Sequence, residues 1–485
     1  MATVDTTKST KAPKKAPDKA SSTAEQRQPP PGYARSRGKQ VQDLLDDETV
    51  EVPWQLRHSE FTYLGSEPLS REHYISKEWA EREIEKLWAK VWQLACFEQD
   101  IPEVGDHIVY DIVDWSFIIV RTTPTEIKAF YNSCLHRGRQ LCENQSESAN
   151  SPEFRCPFHG LSWNIDGSLK QIPPSIEFDF PHVDKQKFGL PQVRCELWDG
   201  LVFINIDDNA EPLLDFLGDV TRHFERWPFA TRWKATHSAK VIDCNWKIAQ
   251  EAFMEAFHVL ATHPQMSIGL LGGDGSNTEY NIYDGGDANW SRMTMAPPMP
   301  NPNLPYELTE RELIEEMFFR GESVSEMGVQ KMSGSADDLP EGITTRKLLA
   351  DAARTRGAHG YQGLPPTDME LTSAIQYHIF PNISPWPGPI FYRYRPYGHD
   401  PDKCIFEIMM MVSLPEGQPR PPAAKIKWLG PDEQFGSIFN QDVENVARVQ
   451  RGMKAAKPPG HLTLTNYQDI KVRWHHRLLE KWLNA

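Results

Sequence analysis

The sequence lacks three features that would each define a class of protein. No apolar run reaches the roughly 18 residues of a membrane-spanning helix, and the most apolar stretch, 405–414, is interrupted by Glu407. Seven cysteines in 485 residues and an N-terminus without an apolar signal segment argue against a disulfide scaffold and predict a cytoplasmic location. Basic residues are scarce, with 52 Lys and Arg against 67 Asp and Glu, so we expect no binding of nucleic acid by the folded body.

What remains is the composition of a globular chain, with 39% apolar and 25% charged residues. Its length suggests roughly three domain-sized units. Residues 1–50 are expected to be a disordered tail, because 1–32 are rich in Lys, Ala, Ser, Thr and Pro and offer little to bury. An organelle transit peptide is the alternative, but Arg is scarce in this stretch.

Hydrophobic periodicity divides the remainder into a helical, a β-rich and a mixed part. Residues 51–100 contain an amphipathic helix over 76–93, and 101–225 contain short strands at 107–113, 116–121, 127–131 and 201–206. Residues 226–485 mix helices with strands. The helices are predicted at 245–260 and 439–456, and the strands at 374–380, 390–395 and 404–414. The irregular segment 265–370, with helix candidates at 309–319 and 344–354, is expected to be a lid or channel wall.

Two Cys-His pairs in the β-rich part predict a metal site. Cys134-Leu-His136 and Cys156-Pro-Phe-His159 are separated by 19 residues, and each is short enough to hang from one tight loop. Two thiolates and two imidazoles could hold tetrahedral zinc or a [2Fe–2S] cluster with both histidines on one iron. Zinc pairs usually group like ligands, whereas each loop here supplies one of each, which favours the cluster. The other cysteines are expected to be inert buried residues: Cys96, Cys142, Cys195, Cys244 and Cys404.

A second group of metal-ligand residues lies in and after the predicted helix 245–260. At 100° per residue Glu251, Glu255 and His258 fall on one stripe of that helix. His258 and His263 are five residues apart and converge only if the helix widens or breaks between them. Buried carboxylates beside histidine favour a metal, and the alternative is a solvent-facing stripe with two unrelated histidines.

These motifs resemble those of the Rieske non-haem iron oxygenases. The stretches 132–138 and 156–160 match the two loops of a Rieske domain, which implies that Cys134 and Cys156 hold one iron of the cluster. His136 and His159 would then hold the other iron.

Residues 230–485 resemble the catalytic domain of the α subunits of this family. The resemblance implies a mononuclear Fe(II) held by His258, His263 and Asp442. Glu444 is the fallback third ligand, and Asp432 and Glu433 are weaker candidates.

Glu255 corresponds to the carboxylate of the family that bridges the iron-bound histidine and a cluster histidine across a subunit boundary. The ring dioxygenases commonly have Asp there, whereas Glu occurs in the branch of carnitine and related monooxygenases. A glutamate that is simply salt-bridged in the core is the alternative interpretation.

The resemblance implies an α+β fold in two parts. A small all-β Rieske [2Fe–2S] domain would occupy 101–225. A helix-grip (START-like) catalytic domain with an antiparallel sheet would occupy 226–485, with helices from 51–100 packed on it and 265–370 as its lid.

The implied function is that of a terminal oxygenase. It would use O2 and electrons from NAD(P)H, delivered by a ferredoxin or a flavin reductase, to dihydroxylate an apolar aromatic ring. The alternative is a monooxygenase or demethylase that acts on a methyl ether, an amine or a quaternary ammonium compound. Electrons would pass through His159 and Glu255 between subunits, which implies a homotrimer, alone or with β subunits.

The substrate pocket is expected to draw on segment 265–370 and on the strand residues Phe391, Tyr392, Tyr394 and Met409 to Met411. Arg393 and Arg395 could bind a substrate carboxylate or pair with surface acids. Two other classes stay open: an electron carrier that uses only the Rieske unit, and a zinc-stabilised binding protein.

Overall fold

A computed structural model describes residues 38–143, 149–263, 275, 277–300, 302, 307–320, 331–357, 359–415 and 417–484. The α-helices are α1 Val41–Asp46, α2 Trp54–Arg57, α3 Glu72–Ile75, α4 Lys77–Glu83, α5 Pro174–Glu177, α6 Leu213–Leu217, α7 Val220–Phe224, α8 Trp246–Glu251, α9 Val259–Thr262, α10 Glu310–Ile314, α11 Thr345–Thr355, α12 Asp368–Thr372, α13 Ser437–Ala455 and α14 Ile470–Leu483.

The strands are β1 Leu69–Ser70, β2 Gln93–Phe97, β3 Asp106–Ile112, β4 Trp115–Thr123, β5 Glu126–Tyr131, β6 Ala149–Asn150, β7 Glu153–Arg155, β8 Ser162–Asn164, β9 Leu169–Gln171, β10 Gln192–Trp198, β11 Leu201–Asn205, β12 Arg232–Ile242, β13 Glu279–Ile282, β14 Trp290–Met295, β15 Ala374–Ile379, β16 Ile383–Pro385, β17 Ile390–Tyr397, β18 Asp400–Ser413, β19 Lys427–Trp428 and β20 His461–Leu462.

The β-rich part forms two antiparallel sheets around a small core of its own. The larger sheet has the order β2-β11-β10-β5-β4-β3-β6, and β7, β8 and β9 form a three-stranded sheet beside it. The apolar residues between them, among them Ile118, Phe130 and Trp163, form one buried cluster that also contains Cys134 and Cys156. The loops that carry Cys134 and Cys156 therefore pack against the same apolar cluster.

The C-terminal part is built on an eight-stranded sheet with the order β13-β14-β15-β16-β17-β18-β12-β19. Its pairs are antiparallel except for β12 with β19. Helix α8 packs on β17 and β18, and α13 packs on α8. The predicted α+β class, with a small all-β domain and an antiparallel sheet covered by helices, is confirmed.

Predicted and observed elements differ where tertiary contacts decide. The strands lie within about two residues of their predicted bounds at most ends, apart from β18, which begins four residues early. The expected tail 1–50 overlaps α1, whose Val41 and Leu45 are buried in the main core; residues 1–37 lie outside the described part of the chain. The predicted helix 76–93 continues from α4 through a π-helical turn, Ile84–Trp88, and then gives way to β2.

The segment 265–370 is less irregular than expected. It contributes β13 and β14 to the eight-stranded sheet, because Tyr280, Ile282 and Trp290 are buried there. Helices α10 and α11 match the two helix candidates and share a separate small core with Leu313 and Met317. The described part of the supposed lid is therefore partly a sheet edge.

A buried charge cluster joins the two sheets and corrects the expectation for Arg393 and Arg395. Both guanidinium groups donate to the Glu407 carboxylate, at 2.6 and 3.0 Å from their Nε atoms, and His237 Nε2 lies 3.1 Å from it. Arg393 also donates to the backbone carbonyls of Leu94 and Ala95 in β2. The arginines thus face neither substrate nor surface acids, because Glu407 in the apolar strand β18 requires buried cations.

A surface contact joins the same two parts of the chain. His399, between β17 and β18, has Nδ1 at 2.8 Å from Glu81 Oε1 and Nε2 at 2.9 Å from Asp114 Oδ2. Hydrogen bonds to Glu81 and then Asp114 raise the pKa of His399, since both ring nitrogens donate only when the ring is protonated.

Among the described residues, no helix is long and apolar enough to cross a bilayer.

Candidate functional site

The two Cys-His loops adopt matching backbone turns. In the first, Gly138 N–H donates to the carbonyl of Cys134, whose own N–H donates to Arg139. In the second, Gly160 N–H donates to the carbonyl of Cys156, whose N–H donates to Leu161. Gly138 and Gly160 have φ values of 74° and 83°, which favours glycine at both turns. The loops therefore place their cysteines at equivalent positions, whereas His136 follows its cysteine by two residues and His159 by three.

The side chains on these loops converge and fit a cluster with two sulfur and two nitrogen ligands. The rings of His136 and His159 lie 4.6 Å apart, centroid to centroid. His136 Nδ1 is buried without a hydrogen-bond partner among the described residues. Arg137 lies 3.1 Å from His159 Nε2.

Of the two sulfur atoms, that of Cys156 is stabilised as a thiolate. Burial raises the pKa of Cys156, but backbone N–H groups of Phe158 and His159 outweigh burial, so that its pKa is lowered. Burial is the main reason that the pKa of Cys134 is raised. Amide donors aimed at cysteine sulfur suit an iron–sulfur cluster, whose charge they stabilise.

The second group brings His258, His263 and Asp442 together from α9 and α13. Asp442 Oδ1 lies 3.0 Å from His263 Nε2 and 3.7 Å from His258 Nε2. One ligand atom from each residue lies within 4.8 Å of the others. Both Nε2 atoms face the same carboxylate, which is the donor set of a 2-His-1-carboxylate iron site.

A break in the predicted helix 245–260 makes this convergence possible. Helix α8 ends at Glu251, and the chain resumes helical geometry only for the single turn of α9. Ala256 N–H donates to the Tyr280 hydroxyl instead of to a helical carbonyl. His258 and His263 then cap the two ends of α9. The predicted stripe of Glu251, Glu255 and His258 is thus not helical, although all three line one cavity.

The second ring nitrogen of each histidine is held by an acceptor. His258 Nδ1 lies 2.5 Å from Glu255 Oε1, and the other Glu255 oxygen accepts the His258 backbone N–H. His263 Nδ1 lies 2.7 Å from Gln441 Oε1. These contacts fix both rings with Nε2 toward Asp442, as partners of metal-bound histidine do. Gln441 was missed at the sequence level, and its position beside Asp442 was the only available signal.

Electrostatics at His258 follow from the same contacts. Burial lowers its pKa, but the hydrogen bond and charge of Glu255 and the charge of Asp442 together raise it. The ring therefore lies between two carboxylates in a half-buried position. A cation bound at His258 Nε2 would be stabilised by the same two carboxylates, those of Glu255 and Asp442.

The alternative third ligands are placed elsewhere. Glu444 is exposed and pairs with Arg448 one turn along α13. Glu433 accepts from Gly430 N–H and pairs with Lys427, and Asp432 is exposed. Asp442, with 5% of its side chain exposed, is the carboxylate that faces the histidines.

A cavity of about 620 Å³ opens beside these ligands. Its lining includes the polar residues Glu251, Glu255, His258 and Asp442 and the apolar residues Ile248, Val446, Val449, Met453, Leu462, Leu464 and Val472. The lining expected from the sheet is not part of it among the described residues. Phe391, Tyr392, Tyr394, Met409 and Met411 are buried in the core instead, and residues 264–274 lie outside the described ranges.

The two groups together define a class of protein. A loop pair that fits a Rieske [2Fe–2S] cluster stands beside a helix-grip sheet with a 2-His-1-carboxylate site, the combination of an iron–sulfur and non-haem iron oxygenase.

Comparison with known proteins gives the family. Residues 224–485, more than half of the chain, match the sequence profile "Ring hydroxylating alpha subunit (catalytic domain)", and residues 91–182 match "Rieske [2Fe-2S] domain". The chain belongs to the family of ring-hydroxylating oxygenase alpha subunits. Its cofactors are a [2Fe–2S] cluster and a mononuclear iron.

Similar curated proteins are aromatic dioxygenase subunits. Biphenyl 2,3-dioxygenase subunit alpha of Rhodococcus jostii (strain RHA1) is 30% identical over 211 residues, 41% of this chain and 44% of that protein. 2-Aminobenzenesulfonate 2,3-dioxygenase subunit alpha of Alcaligenes sp is 28% identical over 236 residues, 47% of this chain and 59% of that protein. The alignments thus span about half the length of these relatives.

Solved structures share the fold over most of the chain. A quaternary ammonium Rieske monooxygenase superposes with a TM-score of 0.59 at 16% identity, covering 86% of this chain and 95% of that one. Naphthalene 1,2-dioxygenase from Rhodococcus sp. superposes with a TM-score of 0.57 at 21% identity, covering 86% and 95%. At these identities the likeness defines the fold.

Proposed function

We propose that this chain is the terminal oxygenase component of a multicomponent system that dihydroxylates an apolar aromatic ring. Electrons from NAD(P)H would arrive through a ferredoxin or a flavin reductase, and O2 would be the oxidant. The observation that carries the proposal is the convergence of His258 Nε2, His263 Nε2 and Asp442 Oδ1. When bound, the cluster supplies single electrons, and the iron supplies open positions at which O2 is activated.

The protein's own contribution is to orient the ligands and to connect them to the surface. Glu255 holds His258 and Gln441 holds His263, so that neither ring rotates away from the carboxylate of Asp442. Glu255 also lines the cavity beside the site. Glu255 therefore links His258 Nδ1, by a hydrogen bond, to a group bound in that cavity.

We propose that a second copy of this chain occupies the cavity with its Rieske loops. Val449 and Leu260 beside it are 44% and 46% exposed, and Phe158, next to His159, is 56% exposed. Exposed apolar side chains near the cavity and on the Rieske loop support an interface in which both surfaces are buried between two copies. A homotrimer, alone or with β subunits, satisfies this arrangement because each copy both donates and accepts a Rieske loop.

An apolar substrate is supported by the aromatic residues next to Asp442. Phe253 and Phe439 lie 4.9 and 6.0 Å from the Tyr392 ring, centroid to centroid. Burial and then the charge of Asp442 raise the pKa of Tyr392, so the phenol stays neutral beside the site. A neutral aromatic cluster packed beside Asp442, outside the lining of the 620 Å³ cavity, suits an uncharged ring.

A second reaction is favoured by one residue. The bridging position holds Glu255, the type of residue expected in the branch of quaternary ammonium monooxygenases, and a protein of that name shares the fold. Monooxygenation or demethylation of a methyl ether, an amine or a quaternary ammonium compound is therefore the second candidate.

Product analysis tests the proposal. The reconstituted enzyme, with a reductase, a ferredoxin and NADH, is incubated with arenes, aryl carboxylates, methyl ethers and quaternary amines, and the Asp442→Ala enzyme serves as the control. We expect a cis-diol from an arene, absent with the control. A monohydroxylated or demethylated product would select the second candidate. A colourless protein that contains zinc and forms no product would contradict both.

A further inference from the structure

A second cluster of metal-ligand residues shares one residue, Glu251, with the lining of the same cavity. Glu251, at the end of α8, faces two consecutive histidines of α14, His475 and His476. One ligand atom from each of the three lies within 4.8 Å of the others. Neither histidine nor Glu251 belongs to the iron site described above.

His475 is oriented as a metal ligand would be. It is fully buried, and its Nε2–H donates to the Pro381 carbonyl at 3.2 Å. Nδ1 of the neutral ring therefore carries the lone pair. That atom makes no hydrogen bond among the described residues, and Glu251 Oε1 lies 3.7 Å away. Two electron-pair acceptors face each other across this gap, which is unfavourable unless a proton or a metal ion lies between them.

His476 is held in a similar way. Its Nδ1 lies 3.1 Å from His73 Nδ1, and its Nε2 lies 2.8 Å from Glu251 Oε1. The Tyr74 hydroxyl is 2.9 Å from the same Nε2 and donates to Glu251 Oε2 at 2.7 Å. Both histidines thus have their second nitrogen fixed by a neighbour, as metal-binding histidines commonly do.

We propose that Glu251, His475 Nδ1 and His476 Nε2 form a second mononuclear site for a divalent first-row metal ion such as Zn²⁺, with the Tyr74 oxygen as the fourth ligand. Zinc bonds of about 2.0–2.2 Å at tetrahedral angles separate neighbouring ligands by about 3.3 Å. The two nitrogen–oxygen distances of 2.8 and 3.7 Å bracket that value. The ion would tie α14 to α8.

The buried Glu407 cluster shows why Glu251 differs. Two guanidinium groups neutralise Glu407 directly, whereas the ion pairs of Glu251 are with histidines, which carry charge only when protonated. A hydrogen bond from His476 Nε2–H to Glu251, with no metal ion, is the alternative. It leaves His475 Nδ1 without a partner, and the experiment below separates the two.

The test uses tag-free full-length protein in which His263→Ala and Asp442→Ala remove the iron site. After equilibrium dialysis against Zn²⁺, bound zinc is counted per chain by mass spectrometry. We expect one bound ion. It should be lost on adding His475→Ala or the isosteric Glu251→Gln, and kept on adding His237→Gln, which alters the histidine of the Glu407 cluster.

No bound zinc in the starting variant would overturn the proposal in favour of the hydrogen-bonded pair of His476 and Glu251, and so would zinc that persists in both added variants. The visible spectrum of the [2Fe–2S] cluster checks that each variant is folded. If His475→Ala loses this spectrum, Glu251→Gln decides alone. The site is independent of the proposed reaction, because the readout is metal content in an enzyme without its iron site.

Discussion

Gln441 offers a sharp test of how the iron site is held. Its side-chain oxygen lies 2.7 Å from His263 Nδ1 and fixes the ring with Nε2 toward Asp442. Gln441→Leu keeps the size of the side chain but removes this acceptor. The buried Nδ1–H then loses its partner, and the ring is no longer held in the ligand orientation.

The magnitude follows from similar contacts to metal-bound histidine. Loss of such a partner weakens metal affinity about 10–100-fold, which corresponds to about 1.4–2.7 kcal/mol. The opposite change, Gln441→Glu, retains an acceptor at the same place and should bind the metal at least as tightly as the wild-type protein.

The assay is competition for Fe²⁺ between the protein and a chelator of known affinity, with the cluster spectrum as the folding control. We expect weaker binding for Gln441→Leu and restored binding for Gln441→Glu. Equal affinity for the leucine variant and the wild-type protein would refute the reasoning, since His263 would then be oriented without Gln441.

Three further outcomes are expected. Glu255→Gln should retain both metal centres but reoxidise the reduced cluster more slowly in stopped-flow absorbance, because the bridging carboxylate is lost; an unchanged rate would dismiss the bridge. Glu407→Gln leaves two buried arginines without their counter-charge and should cost about 3–5 kcal/mol, seen as a lower midpoint of denaturant unfolding. The folded pKa of His399 is raised, so its stabilising contribution is full at pH below its ordinary value near 6.5 and is lost as pH rises through the folded pKa. His399→Gln should therefore lower the melting temperature at pH 5.5 by a small amount, worth at most about 1 kcal/mol, and leave it unchanged at pH 9; an equal loss at both would contradict the charge argument.

Much of the fold was predictable because its strands have short, regular patterns. Strands β3, β4 and β5 alternate or run apolar between turn residues, and tertiary packing did not alter them. The long helix predicted over 245–260 failed for a reason that no local pattern contains. The hydroxyl of Tyr280, in β13, accepts a hydrogen bond from the backbone N–H of Ala256, which replaces a helical hydrogen bond where the helix ends.

The site divides in the same way. The motif residues Cys134, His136, Cys156 and His159 stand together because each pair lies on one short loop. The positions of Gln441 and of the Glu251–His476 contact depend on segments far apart in the chain. Arg393 and Arg395 were misassigned because the one acid that they bind, Glu407, lies on the neighbouring strand.

The measurement that tests the account most directly is the iron content of the Asp442→Ala protein. We expect it to lose one iron per chain and all turnover while the visible spectrum of the [2Fe–2S] cluster is unchanged. Glu444→Ala, two residues along the same helix, should keep its iron and its activity. Full iron and activity in the Asp442→Ala protein, or their loss in Glu444→Ala, would contradict the assignment of the iron site.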